Sequence, residues 1–155
     1  MRNGTNLIIT LLASVGAFVG IGVIQLETPQ GLPGWLKAEA PTIIAAAHIN
    51  GDSSPQDIKL MFAIRQAEHG AKSLEMGILH PRALQQCKDR PNETLSIQSG
   101  WLACTIRNHR ARHEAHACGL DFVACLAKRF CPINCDNDNG TNQFWESNVR
   151  YFLEK

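Results

Sequence analysis

No surplus of either charge marks this sequence: 15 Lys and Arg stand against 14 Asp and Glu in 155 residues. A nucleic-acid-binding chain usually carries a basic excess or stripe. The one basic cluster, Arg107, Arg110 and Arg112 with His109, His113 and His116, has no aromatic residues interleaved for base stacking. Nucleic acid is therefore not expected as a partner. Strand-length runs of β-branched residues are also missing, which leaves a mainly α class. No C-x-x-C pair occurs, and His113-Glu114-Ala115-His116 lacks the H-E-x-x-H spacing that sets two imidazoles on one helix face. No cofactor and no metal are expected.

Charge is absent altogether from residues 7–26, LIITLLASVGAFVGIGVIQL, a stretch long enough to cross a bilayer core as a helix of about 30 Å. Arg2 precedes it and Glu27 follows, so the positive-inside rule sets the remainder outside the cytoplasm. Residues 1–26 read as a membrane anchor first and a signal segment second. Gly16 and Gly20 form a GxxxG suited to membrane-helix pairing. Residues 27–40, rich in proline and glycine, read as a linker, leaving 41–155 as the folded domain.

Six cysteines follow: Cys87, Cys104, Cys118, Cys125, Cys131 and Cys135. An even count in an exported domain suits disulfides, with connectivity left open. Zinc is the rival reading, because His109, His113, His116 and Cys118 lie close in sequence. Free packed thiols are a third reading for Cys104 and Cys125, which sit inside helical patterns. Residues 135–146 place Asn137, Asn139, Gly140 and Glu146 at EF-hand positions, but Cys135 stands where the first Asp is needed.

Apolar periodicity predicts the helices. Pro41 opens a short buried helix to Asn50, and Ser54 caps the next, with Pro55 at its first position and Asp57 in the first turn. That helix ends at Glu68-His69-Gly70. Residues 71–93 are turn-rich and read as a loop or small β-hairpin region. Residues 95–114 form a long helix with Ile97, Trp101, Cys104 and Asn108 on one stripe, 120–130 another, and a last helix carries Trp145 and Val149.

Glu68 is the unusual feature. Helix C-termini favour cations, so a carboxylate there is either solvated or retained for a purpose. Walled by apolar groups it would keep its proton near neutral pH and serve as a general acid.

The stretch AIRQAEHG followed by GILHP resembles the paired motif of the lysozyme-like superfamily, namely soluble lytic transglycosylases and goose-type lysozymes. LSIQSGWLACTI, FVACLAKRFCP and FWESNVRYF resemble later helices of that family in the same order, as they also do compact phage-type relatives. The resemblance implies a lysozyme-like helical domain with Glu68 as the catalytic acid. It further implies substrate contacts from His69, Gly77, Ile78, Leu79, His80, Arg129 and Phe130. The implied reaction is cleavage of the β-1,4 bond between N-acetylmuramic acid and N-acetylglucosamine in peptidoglycan. Glu75, Asp89 and Glu93 are the candidates for a second carboxylate. If none serves, the substrate's own acetamido group stabilises the reacting centre and a 1,6-anhydro sugar results. His69, His80 and Phe130-Cys131 depart from the family pattern. A non-catalytic, glycan-binding or structural module of the same fold is the alternative.

Overall fold

The computed structural model describes residues 31–50, 54–115, 118–130, 133 and 140–155. They form α1 (Gly34–Ile49), α2 (Pro55–Glu68), α3 (Pro81–Asp89), α4 (Thr94–Glu114), α5 (Phe122–Phe130) and, after a 3-10 turn at Asn142–Phe144, α6 (Trp145–Leu153).

Helix α2 is the centre of the domain. Leu60, Met61, Phe62, Ala63 and Ile64 are all buried, five in succession, so the helix is apolar on every side over this stretch. It packs against α1, α4 and α6. Its start follows the expected chemistry: Ser54 Oγ accepts the Asp57 backbone N–H at 3.1 Å, with Pro55 in the first turn. Asp57 is itself buried and holds the Arg110 guanidinium of α4.

The expected architecture needs correction in several places. The mainly α class stands, but the β-hairpin does not: among the described residues there is no strand, and α3 occupies the middle of residues 71–93. Pro81 sits at the first position of α3, where its missing N–H costs nothing. His80 caps that helix through Nδ1, 3.2 Å from the Arg82 N–H. Ala83 and Cys87, four residues apart, bury its inner face.

The expected membrane helix is not found among the described residues. The 7–26 segment and its GxxxG lie outside the described residues, and among the described residues no helix is long and apolar enough to cross a membrane. Residues 34–40 are not linker but the first half of α1. Leu36, Ala40, Ile43, Ile44 and Ala47 make one continuous buried stripe at helical spacing, and Pro41 falls inside the helix instead of opening it. Arg65 of α2 donates to both Glu39 carboxylate oxygens at 2.7 and 2.9 Å, tying the two helices together.

The stripe on α4 is rotated from expectation. Ile97, Gln98, Leu102, Ala103, Ile106 and His109 face inward, whereas Trp101 and Cys104 are half-buried and Asn108 is exposed. Of the cysteines, Cys118 and Cys125 form a disulfide that staples the chain before α5 to that helix. Cys125 is thus not a free packed thiol, while Cys87 and Cys104 are free. Cys131, Cys135 and most of the candidate calcium loop lie outside the described residues. Among the described residues no three His, Cys, Asp or Glu side chains group as a metal site. His113 Nε2 instead meets the Leu120 carbonyl at 2.8 Å.

His109 carries a pH prediction. It is buried against Phe122, neither ring nitrogen has a hydrogen-bond partner among the described residues, and Arg129, Arg112 and His113 surround it. Burial first, then those cations, push its pKa below the ordinary 6.5. Below pH 6.5 the unfolded chain binds a proton that the folded chain refuses, so this contribution to stability falls as pH drops from 6.5 to the folded value. His109→Leu should therefore lose less stability than the parent between pH 7.5 and 5 in urea melts. Parallel pH dependence in the two proteins would refute this.

Candidate active site

Glu68 is the last residue of α2, and the chain turns immediately. His69 takes a left-handed conformation (φ 42°) that ends the helix. The Glu68 carboxyl is half-buried, and Trp145 Nε1 of α6 donates to its Oε1 at 2.6 Å. Gly77 closes another side. It has φ +68°, and a Cβ added there would stand 2.4 Å from the Glu68 carboxyl carbon. No other residue type fits this close approach without moving the carboxyl.

Two opposed effects set the proton affinity of Glu68. Burial pushes its pKa above the ordinary 4.5, and the Trp145 hydrogen bond pulls it partly back. The partial negative charge at the end of α2 adds to the first effect. The result is a carboxyl that holds its proton above the usual carboxylate range while remaining fixed in direction by an indole N–H.

The segment that delivers Gly77 is clamped to α4 at two points. Glu75, one of the candidate second carboxylates, is buried, and Thr94 Oγ1 donates to its Oε1 at 2.5 Å. The side chain of fully buried Gln98 makes a pair of bonds with the Ile78 backbone, accepting from its N–H and donating to its carbonyl, both at 3.1 Å. At the other turn a Cβ on Gly70 would meet the Leu74 carbonyl oxygen at 1.9 Å, so the 70–77 loop closes tightly on itself.

The sequence-predicted site residues separate into two groups. Glu68, Gly77 and, through Trp145, Phe130 come together: the Phe130 and Trp145 rings lie 5.2 Å apart. His69 is exposed beside Glu68 and meets Trp35 edge-on at 5.0 Å. Ile78 serves as a buried strut, whereas Leu79 is half exposed. His80 stacks on Trp101 of α4 at 4.5 Å. Arg129 is exposed, and the group it acts on is His109, with no described contact to Glu68.

Each of the three proposed partner carboxylates has a hydrogen-bond partner of its own. Glu75 is committed to Thr94, Asp89 accepts from Gln85 at 2.9 Å, and Glu93 pairs with Arg90 at 3.1 Å. Sequence reasoning missed Trp145 and Gln98. Trp145 looked like one more apolar position on the last helix, and nothing in the chain order couples it to a residue 77 positions earlier. Gln98 left one sign, a polar residue beside Ile97 on the inward stripe of α4. No protein-family model, no curated protein and no solved structure matches this chain.

Proposed function

We propose that this protein is a peptidoglycan-cleaving glycosidase that cuts the bond between N-acetylmuramic acid and N-acetylglucosamine, with Glu68 as the single acid/base. The observation that carries the reading is the Glu68 carboxyl, walled by Gly77, aimed by Trp145 and pushed up in pKa by burial. Such a group protonates the leaving glycosidic oxygen and then, ionised, accepts a proton in the second half of the reaction. The motif resemblance over AIRQAEHG and GILHP supports the same assignment.

With Glu75 bonded to Thr94, Asp89 to Gln85 and Glu93 to Arg90, the reading takes the substrate's acetamido group in place of a protein nucleophile. The expected product then carries a 1,6-anhydro-muramyl end. The Cys118–Cys125 disulfide supports action in an oxidising compartment outside the cytoplasm, where glycan strands are found. One observation favours the alternative of a non-catalytic glycan-binding module. Phe130 offers no hydroxyl to the site, so the only described side-chain donor to Glu68 is Trp145.

Digestion of purified peptidoglycan by the full chain, with soluble products read by mass spectrometry, tests the proposal. Anhydro-ended fragments are expected; reducing ends would mean hydrolysis, and no release from folded protein would remove the catalytic reading. Trp145→Phe keeps a ring against Phe130 and removes the donor that lowers the Glu68 pKa. The alkaline limb of the pH–rate profile should move upward, with a rate loss of about tenfold. An unmoved limb would show that the indole bond does not tune the acid.

A further inference from the structure

Between α3 and α4 lies an open groove of about 380 Å³, within the size range of small-ligand sites. Asn50, Gln86, Arg90 and Glu93 surround the half-buried indole of Trp101 there. The indole is held in place. Its Nε1 donates to Gln86 Oε1 at 2.9 Å, and its ring stacks with His80, the planes 23° apart. At the end of the groove, Arg107 of α4 donates to the Asn50 carbonyl, and the Cys104 thiol donates to Asn50 Oδ1 at 3.3 Å.

A fixed aromatic ring among amide, guanidinium and carboxylate groups matches the chemistry of a pyranose. The sugar's C–H face lies on an aromatic surface, and its hydroxyl and acetamido groups meet planar side chains that donate and accept in pairs. The Gln86 carbonyl serves Trp101, which leaves its amide N–H groups as donors. The exposed Arg90–Glu93 pair supplies a charged donor and acceptor on the rim.

The chain itself ties this groove to Glu68. Gly77 abuts the carboxyl, and His80, three residues further on, stacks against Trp101. The Cα atoms of Gly77 and His80 are therefore at most about 11 Å apart, so one short segment both walls the acid and supports the platform. The Gln98 clamp on Ile78 fixes the segment between them. We infer that the Trp101 groove is a second glycan-binding subsite, holding N-acetylated amino sugars of the same strand that Glu68 cuts, with Trp101 as its platform. The identity of the ligand rests on the glycan-cleaving reading above.

The test is titration of the full-length Glu68→Gln protein with a β-1,4-linked N-acetylglucosamine tetramer. The indole N–H signals of Trp35, Trp101 and Trp145 are followed by NMR beside a peptidoglycan digestion by the wild type. The Trp101 signal should move saturably, and Trp101→Ala should weaken binding about tenfold or more. Arg90→Ala, at an exposed position, should weaken it severalfold and serves if Trp101→Ala does not fold. Shifts confined to Trp145, unchanged affinity in Arg90→Ala and Trp101→Ala, or digestion without tetramer binding would each overturn the groove and leave the Glu68 reading standing. Neither binding nor digestion would overturn both.

Discussion

Glu68→Gln is expected to abolish release of soluble fragments from peptidoglycan, a fall of about 10²–10⁴-fold, and to raise the melting temperature at pH 7. The two effects share one cause. Burial holds the folded pKa above 4.5, so above pH 4.5 the folded carboxyl retains a proton that the unfolded chain gives up more readily. The folded state is thereby penalised as pH rises through the folded pKa, and below pH 4.5 the penalty vanishes because both states are protonated. Glutamine keeps the shape and can still accept from Trp145, but it does not ionise. Its stabilising effect should be present at pH 7 and absent at pH 4. Paired melts at the two pH values and one digestion series decide the matter. A Gln variant that still releases fragments would remove Glu68 from the chemistry. Equal melting differences at both pH values would show that the carboxyl is not held against ionisation.

Gly77→Ala is the second large effect. Alanine at φ +68° costs about 1–2 kcal/mol from the backbone alone. Its Cβ also meets the Glu68 carboxyl at 2.4 Å, and Trp145 prevents that carboxyl from retreating freely. Displacing the acid by about 1 Å is enough for a rate loss on the order of 100-fold. Gly119→Ala supplies the control. Gly119 has φ +70° as well, yet nothing lies within 4 Å of an added Cβ. The control should lose only the backbone part of that stability and retain activity. If both variants lose activity equally, backbone strain and not the Gly77–Glu68 contact explains the effect.

Much of the helical layout was legible in the sequence because its signals are local. Ser54-Pro55 with Asp57 marks the start of α2, and the Glu68-His69-Gly70 end marks its stop. The same local logic failed where two meanings compete for one residue. Pro81 begins a helix as readily as it makes a turn, and the deciding fact is that Ala83 and Cys87 find a core to bury against. Pro41 marked a plausible start, but the stripe from Leu36 to Ala47 overrode it, since the buried area gained along α1 offsets one lost backbone bond.

The sequence by itself determined the mainly α class, the ends of α2, and the presence of a carboxyl at a helix terminus where a cation is usual. Only the tertiary structure decided what that carboxyl is. Trp145 and Gly77 reach Glu68 from α6 and from a clamped loop, and burial raises its pKa through contacts that chain order does not encode. Desolvation belongs to the packed assembly and not to any one segment, so a residue's charge state is settled by its neighbours in space.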